Sequence, residues 1–533
     1  MSHDPALLDP SREVRRIALA LGVLAFLAVL LTLADPGITV DEPLDVRPGR
    51  AYVAGLRKEG LRAFGREAID RTYRDNAEHP PLGRWLLGLA STLGEPFEVL
   101  AMGGADPTGT YVVAGRLAPA FAFAILVGLV ASAAGRRNGA PGAVGAGLAL
   151  MFMPRVFAHA HLGALDTFLC LFWTLALLRV DRALASARPG WAMAGAGVVW
   201  GLALLTKIHA WLLPPIVLAF ALTRLRPARA VSACAAWAVA GLAVFAGGWP
   251  WLWYETRARL LAFLATGLER TPIRVLYFGR VTLDHEVPWH YPWFYFAATV
   301  PVGLQLLGAW GLISGWRQRR ADPLPVVLAS SIAAFLLLFS TGTPVYDGER
   351  LFLVAFPLWA ILIGGGFAAL WRRAGGRRWR KVLAAGFLLA QGVGVVTFHP
   401  FGLSYYNAAV GGLPGAERLG LELTYWGDTV DGALLGSLAE EAGPGQTATL
   451  APSLAPGQGA YATTRALWRR GLVLRDQEAV NTADWVAVYR REAYWSPGLR
   501  AALRGARPVA QRSRQGVWLA RLYRLPRKSK TPD

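Results

Sequence analysis

Cysteine is nearly absent from this chain of 533 residues, which contains only Cys170 and Cys234. So few cysteines exclude a disulfide framework, and no cysteine spacing typical of a metal site occurs. Both cysteines lie inside apolar segments, where a free cysteine behaves as a small hydrophobic residue. The chain also lacks internal repeats, and its only biased tract is the basic end at 527–530.

Acidic residues are scarce, because 35 Asp and Glu stand against 55 Lys and Arg, giving a net charge of +20. In a soluble domain this excess would indicate a nucleic-acid partner. The chain is 54% hydrophobic, however, and apolar runs near 20 residues recur up to about residue 398, long enough for a helix to cross a bilayer. The loops that we assign to the cytoplasm hold 20 Lys and Arg against five acids. The positive-inside rule therefore explains the charge, and we predict a lipid bilayer and no nucleic acid as partner.

The hydropathy pattern predicts an all-α polytopic membrane protein with about eleven transmembrane helices and a cytoplasmic N-terminus, the first helix being an uncleaved signal anchor. The spans are expected at about 17–34, 113–134, 140–157, 164–179, 191–207, 209–223, 231–252, 294–315, 324–341, 351–371 and 382–398. Every inward turn falls on an Arg-rich loop. We place the protein in the bacterial cytoplasmic membrane, with a transmembrane domain at 1–398.

Two extracytoplasmic parts are predicted besides the short loops. The first outer loop, 35–112, contains an apolar segment at 81–93 that is too short to span and is expected to lie along the membrane surface. A crossing at that segment would reverse the orientation of every later loop. The tail, 399–533, is expected to form a small α/β domain, with strands at Trp485–Tyr489 and 516–525. Helices are predicted there at 417–442 and 497–504.

The first outer loop carries two groups of candidate functional residues. Asp41 and Glu42 follow the first hydrophobic segment by seven residues, where carboxylates can act on a molecule presented at the outer face. Glu78 and His79, just before Pro80-Pro81, close the same loop and would form a rigid site wall. The alternatives are a solvated loop pair for the first group and a proline helix start for the second.

Further ionisable residues lie at the predicted outer ends of the spans. Arg116, Lys207 and Arg350 belong to three separate spans, and Asp166 begins a fourth after Arg155, His159 and His161. Ionisable groups at such positions are more often functional than incidental. Snorkelling to the lipid headgroups is the alternative for Arg116, and pairing of Asp166 with Arg155 is a structural alternative for the acid.

An ordered set of motifs resembles the protein O-mannosyltransferase-like family of GT-C glycosyltransferases, which includes the aminoarabinose transferases of lipid A. The motifs are ITVDEP, EHPPLGRWLLGLA, AGRLAPAFAFA, PRVFAHAHLGALDTFLCLFWTLAL, GLALLTK and YDGERLFLVAFPL, spread over about residues 17–370. The aromatic stretch HEVPWHYPWFYF is also similar to the stretch that precedes the eighth span in that family. The tail does not resemble the sugar-binding MIR domain of the eukaryotic enzymes, so protein, lipid and glycan all remain open as acceptors.

The resemblance implies transfer of a sugar from a polyprenyl-phosphate donor to a hydroxyl acceptor with inversion. Asp41 would be the general base, and Glu42 would orient the acceptor or the base. Arg350 and Arg116 would clamp the leaving phosphate, a role that suits the guanidinium group. Lys207 is a weaker candidate for the same clamp.

The remaining candidates have supporting roles. Glu78 and His79 would position the acceptor or, together with Asp41, hold a divalent cation, although we assign no metal ligands. Asp166 would brace the site. We expect the Trp and Tyr residues at 289–295 to form an interfacial aromatic belt and the segment 425–428 to dock the tail onto the membrane domain.

Other functions are consistent with many spans and buried charges. A transporter or lipid flippase is the main alternative, but such proteins place ionisable groups near the bilayer midplane and show paired repeats. Here the charges gather at one face. A glycan ligase or polymerase with a diphosphate-linked donor and a non-catalytic assembly partner are further alternatives.

Overall fold

The computed structural model describes residues 10–73, 79–266 and 271–525, most of them helical. The helices up to the first long loop are α1 Arg12–Leu30, α2 Asp41–Glu59, α3 Arg66–Thr72, α4 Leu82–Leu93, α5 Glu95–Ala101 and α6 Val112–Gly115. The next are α7 Leu117–Met151, α8 Pro154–His159, α9 Asp166–Leu184, α10 Pro189–Leu204, α11 Leu213–Arg224, α12 Pro227–Gly248 and α13 Thr256–Thr266. Then follow α14 Tyr291–Ala298, α15 Val302–Arg317, α16 Leu324–Leu338, α17 Ala355–Arg373, α18 Arg378–Ala390 and α19 Val393–Phe398.

Helix α7 contains two of the predicted spans. Gly139 interrupts it with a left-handed φ of 68°, which glycine adopts without a steric penalty. The chain then folds back, because a Cβ on Gly147 would lie 3.3 Å from the Cβ of Ala131. The two halves are therefore an antiparallel pair, with the turn at the predicted basic loop.

By length and composition, four helical segments in the described residues could cross a membrane, namely Val112–Met151, Pro227–Gly248, Ala355–Arg373 and Arg378–Phe398, and the first of them includes the fold-back at Gly139. The pair α14 and α15 makes five if it counts as one bent span. Its halves meet at 110°, so the segment predicted as one span at 294–315 is not a straight helix, and whether it crosses as one broken span stays a prediction. Pro301, which has no N–H for a helical hydrogen bond, lies at the break. The total of eleven spans stays a prediction.

One end of the bundle, which we call the arginine end, is defined by a network of buried and half-buried charges. Arg137 donates to Asp181 at 2.7 Å and to Asp322 at 2.6 Å, and Arg224 lies 3.6 Å from Asp181. The network joins α7, α9 and α11 to the turn before α16. Helix α9 begins at Asp166 and reaches Asp181 after 15 residues, about 22 Å away at 1.5 Å per residue. Asp166 therefore marks the opposite end.

In the first outer loop, α2 and α4 pack in backbone contact. A Cβ on Gly49 would lie 2.0 Å from the carbonyl oxygen of Arg84, and one on Gly88 would lie 2.0 Å from the carbonyl carbon of Gly49. The side chain of Arg84, fully buried, donates to Asp45 at 2.9 Å. This packing fixes the orientation of α2, whose first residue is Asp41.

The tail contains a five-stranded sheet with short helices. Its strands are β3 Ala448–Ala451, β4 Leu474–Arg475, β5 Trp485–Tyr489, β6 Pro508–Arg514 and β7 Val517–Arg524, and its helices are α20 Gly412–Arg418, α21 Gly432–Glu441, α22 Gln458–Ala462, α23 Arg465–Arg469 and α24 Pro497–Leu503. The strand order is β4-β3-β5-β7-β6, with β3 parallel to β4 and β5, and β7 antiparallel to β5 and β6. A hairpin of β1 Arg274–Tyr277 and β2 Arg280–Leu283 contacts this part through the Gly279 N–H, which donates to the Gly420 carbonyl at 2.9 Å.

The predicted continuous helix at 417–442 is wrong over its first part, while α21 Gly432–Glu441 covers its last part. The chain between α20 and α21 is irregular and mostly buried, and Gly420 and Gly427 there have φ of 66° and 92°. Left-handed residues at these positions break the helical hydrogen-bond pattern. The strands predicted at Trp485–Tyr489 and 516–525 and the helix at 497–504 correspond to β5, β7 and α24.

The close packing of α2 on α4 leads to a prediction with an internal control. Gly49→Ala should lower the free energy of unfolding by about 1–3 kcal/mol, because backbone atoms of α4 must move. Gly55→Ala in the same helix has nothing within 4 Å of the new Cβ, so it should be neutral or stabilising by up to about 1 kcal/mol. Thermal unfolding of the two purified variants measures the difference, and equal stability would refute the close contact.

Candidate active site

Arg350 is the centre of a cluster of charges at the end of the bundle opposite the arginine end. It follows a tight turn in which Asp347 and Gly348 have φ of 57° and 64°. Its guanidinium group pairs with Asp41, with Asp166 at 3.4 Å and with Asp347 at 3.2 Å. Three carboxylates from α2, α9 and the turn itself therefore surround one cation.

A cavity of about 750 Å³ opens beside this cluster. Asp41, His79, Lys207 and Arg350 line it together with mainly apolar side chains from the long outer loops and the tail. Lys207 donates to Asp166 at 2.6 Å, so the two cations share a carboxylate. The structure thus brings together four of the predicted site residues in the cavity wall, with Asp166 directly behind them.

The tail supplies part of the same wall. The ring of Trp426 lies 4.2 Å from the guanidinium carbon of Arg350, within cation–π range. Arg491 forms an ion pair with Asp347 at 2.9 Å, with both side chains less than 5% exposed, and Tyr494 also lines the cavity. The tail therefore contacts the charged cluster directly, through Trp426 and Arg491.

The segment that carries Trp426 docks on the first outer loop, as predicted for 425–428. The Gly37 N–H donates to the Asp428 carbonyl at 2.8 Å, and the Val40 N–H donates to the Trp426 carbonyl at 3.2 Å. Burial raises the pKa of the Asp428 side chain to about 7. Such a shift favours the neutral carboxyl, which is less costly to keep in a dry interface than its anion.

His79 lies at the cavity wall close to two cations. Desolvation, followed by the charges of Arg84 and Lys207, holds the pKa of His79 well below its usual value. The imidazole is therefore neutral at neutral pH and able to accept a hydrogen bond. Glu78, the other half of that prediction, lies outside the described residues. Within the described ranges, no group of three or more His, Cys, Asp or Glu side chains lies close enough to hold a metal ion.

Glu42 and Arg116 form a sealed ion pair. This placement contradicts the phosphate clamp expected of Arg116 and an acceptor contact for Glu42, whereas the expected role of Glu42 in orienting Asp41 stays a prediction. Both side chains are 0% exposed, with Arg116 donating to Glu42 at 2.7 and 2.8 Å. The other guanidinium hydrogens go to the carbonyls of Leu33, Pro36 and Gly37. All five donors of the guanidinium are thus used, so Arg116 has none left for a phosphate. Neither residue lines the cavity.

The sealed pair instead fixes the start of α2. Glu42 also accepts from the N–H of Thr39 at 2.8 Å and from that of Gly163 at 2.7 Å. Together with the Arg116 pair, these bonds tie the residue beside Asp41 to the end of α6 and to the turn before α9. Glu42 and Arg116 therefore set the position of Asp41 without touching the cavity.

Asp166 pairs with Lys207 and Arg350, and Arg155 is not its partner. Arg155 donates to Glu349 at 2.7 Å and to the Tyr405 carbonyl at 2.9 Å. Its guanidinium carbon lies 5.6 Å from the ring of Tyr295, which with Tyr291 is almost fully buried. The belt predicted at 289–295 is therefore wrong for these two buried rings, of which Tyr291 accepts a hydrogen bond from the Gly348 N–H. For the exposed Trp289 and Trp293 it stays a prediction.

Sequence reasoning missed Trp426, Arg491 and Asp347 as members of the site. Asp347 lies three residues before Arg350 within a quoted motif, and this spacing was the available signal. No pattern in the tail marks Arg491, because its partner is distant in sequence. The sequence indicates Trp426 only as part of the docking segment 425–428.

The sealed pair gives a stability prediction. Arg116→Met should reduce the free energy of unfolding by about 3–5 kcal/mol, because Glu42 would remain buried without a counter-charge. Arg50 pairs with Glu95 at 2.8 Å, and the Glu95 side chain is 38% exposed. Arg50→Met removes this partly exposed pair and should therefore reduce the free energy of unfolding by at most about 1 kcal/mol. Thermal unfolding in one detergent compares the variants, and an Arg116 variant as stable as the Arg50 variant would contradict the assignment.

Comparison with known proteins supports the sequence resemblance. A model of the family described as dolichyl-phosphate-mannose-protein mannosyltransferase matches residues 78–254, a range that includes His79, Asp166 and Lys207. No curated protein matches the chain.

Solved structures add the fold. ArnT from Cupriavidus metallidurans in the apo state is 17% identical, with a TM-score of 0.52 over 94% of this chain and 97% of that one. The same protein bound to undecaprenyl phosphate is 16% identical, with a TM-score of 0.51 over 95% and 97%. The chain therefore has the fold of ArnT, and its resemblance to the protein O-mannosyltransferase-like group of GT-C membrane glycosyltransferases is confirmed.

Proposed function

We propose that this protein is an inverting glycosyltransferase that moves a sugar from a polyprenyl-phosphate donor to a hydroxyl group at the extracytoplasmic face of the membrane. The donor class is supported by the ArnT structure with bound undecaprenyl phosphate, whose fold this chain shares. The acceptor, whether protein, lipid or glycan, is defined here only by its hydroxyl.

The observation that carries the proposal is the unequal exposure of the carboxylates around Arg350. Asp41 is 24% exposed, whereas Asp166 and Asp347 are 3% and 4% exposed. Asp41 and Asp347 both line the cavity, whereas Asp166 does not, and a molecule in the cavity meets far more of the Asp41 side chain than of the nearly buried Asp347. A base must lie within hydrogen-bond reach of the proton that it takes, and Asp41 is the carboxylate of this cluster that meets that requirement.

Asp41 acts as the general base in this scheme. The acceptor hydroxyl attacks the anomeric carbon of the sugar from the side opposite the phosphate. A carbon–oxygen bond forms, the bond between the anomeric carbon and the phosphate oxygen breaks, and its electron pair leaves with the polyprenyl phosphate. The hydroxyl proton passes to the Asp41 carboxylate. The anomeric configuration is inverted because one displacement occurs.

Arg350 and Lys207 bind the leaving phosphate. Both are largely buried cations at the cavity wall, with 6% of the Lys207 and 11% of the Arg350 side chain exposed. A low-dielectric site strengthens their attraction for the charge that develops on the phosphate. A phosphate on Arg350 would compete with Asp41 for the guanidinium and so free Asp41 to accept the proton. Asp166 and Asp347 keep the guanidinium in place during this exchange.

Glu42 and Arg116 serve the reaction only through the position of Asp41, while His79 lies where a neutral imidazole can accept a hydrogen bond from the substrate.

The tail lies at the same end of the bundle as the cavity, since Trp426 and Arg491 contact the cluster. We therefore propose that the tail is extracytoplasmic and that the arginine end faces the cytoplasm.

Asp41→Asn should reduce transfer by about 100- to 10,000-fold, because the amide keeps the shape of the side chain but cannot take the proton. Release of polyprenyl phosphate from a panel of polyprenyl-phosphate sugars, followed by mass spectrometry, measures the effect. Asp35→Asn, a 48% exposed residue of the same loop, should leave the rate unchanged. Wild-type transfer by the Asp41 variant would disprove the base assignment.

Arg350→Ala should weaken donor binding about 10- to 150-fold, the effect of losing a charged hydrogen bond of about 1.5–3 kcal/mol. Arg350→Lys should retain part of the affinity, since it keeps the charge but not the two-pronged contact. Titration with a polyprenyl phosphate, using Arg50→Ala as the control, gives the affinities. An Arg350→Ala variant that binds the lipid like the wild type would remove this residue from the clamp.

A further inference from the structure

A second cavity lies at the arginine end, between α15, α17 and α18. Its volume is about 540 Å³. Its walls are mostly apolar and include Leu306, Leu307, Trp310, Leu370, Leu383 and Phe387. Arg373 and Arg380 stand at its rim, and we call it the α18 groove.

The groove opens to the outside of the bundle. Leu306 and Leu383 are each 63% exposed, and Phe387 is 39% exposed. Helix α18 belongs to a segment with only 22% of its most apolar window buried in the protein. In a protein of this class such a surface meets lipid chains, so the groove offers an apolar channel to an acyl chain.

The rim carries a strong and uncompensated positive charge. Residues 372–381 contain six Lys and Arg and no acid, and no residue lining the groove is acidic. In the described part of the chain, neither Arg373 nor Arg380 lies within 4.0 Å of a carboxylate oxygen. Asp181 and Asp322, which lie at the same end of the bundle, already pair with Arg137 and Arg224.

Tryptophan rings mark the level of the lipid headgroups at this rim. The guanidinium carbon of Arg373 lies 4.4 Å from the ring of Trp310, and that of Arg380 lies 5.2 Å from Trp379. Trp and basic residues together are typical of the membrane–water interface. The rim thus lies at the level of a lipid headgroup phosphate, and the apolar walls of the groove lie where an acyl chain of the same lipid would extend.

We propose that the α18 groove binds an anionic phospholipid, with an acyl chain against Leu307 and Phe387 and the phosphate on Arg373 and Arg380. Basic pockets between membrane helices at the cytoplasmic side suit such headgroups. The site is separate from the donor cavity, because α17 rises about 27 Å between Ala355 and Arg373 at 1.5 Å per residue. The proposal therefore stands whether or not Asp41 is the catalytic base.

Native mass spectrometry of the full chain in detergent tests the proposal. Phosphatidylglycerol and phosphatidylcholine are titrated into the wild type and the double variant Arg373→Gln/Arg380→Gln. The wild type should prefer phosphatidylglycerol, and the double variant should bind it about 25-fold more weakly, because each basic residue near a headgroup contributes about fivefold. The matched control, Arg319→Gln/Arg320→Gln, removes two exposed arginines of the same end outside the groove and should bind like the wild type.

Two further measurements separate the groove from simple charge attraction. Leu306→Trp narrows the mouth without changing the charge and should also weaken phosphatidylglycerol binding, whereas glycerol phosphate without chains should fail to displace the lipid. Equal binding by the double variant, equal binding of the two phospholipids, or full displacement by glycerol phosphate would each overturn the proposal. Thermal unfolding without lipid verifies that all variants are folded, and their binding is compared at matched folded fractions.

Discussion

The pairing of one buried guanidinium with carboxylates from distant parts of the chain is the interaction on which the site depends. Arg350 contacts Asp41, Asp166 and Asp347, and its charge allows three acids to share a partly buried space. Without that cation the carboxylates would repel one another. The fold around it, including the tail that places Trp426 on the guanidinium, keeps this arrangement in one geometry.

Much of the membrane part was predictable from the sequence, because long apolar runs and Arg-rich turns are local signals. Ionisable residues at the ends of those runs identified Asp41, Lys207 and Arg350, which the structure places together. The depth of a residue inside an outer loop is not a local property, and so Glu42 looked like the partner of Asp41 in catalysis. In the structure it is the sealed partner of Arg116.

The other differences from the predictions involve contacts between segments that are distant in sequence. The bend between α14 and α15 follows Tyr291 and Tyr295, and the Tyr291 hydroxyl accepts a hydrogen bond from the turn before Arg350. The helix predicted at 417–442 gives way to a buried irregular segment that docks on the first outer loop. Arg491 reaches Asp347 across 144 positions of sequence, a separation that no periodicity reveals.

The central claim is that a donor phosphate takes over Arg350 and releases Asp41 toward the acceptor. An experimental structure of the full chain with a bound, non-transferable polyprenyl-phosphate sugar analogue tests it most directly. The account predicts a phosphate oxygen within about 3 Å of the Arg350 guanidinium, with the Asp41 carboxylate turned toward the face of the anomeric carbon opposite the phosphate. A phosphate bound away from Arg350, or an Asp41 that stays paired with it and faces no sugar, would contradict the account.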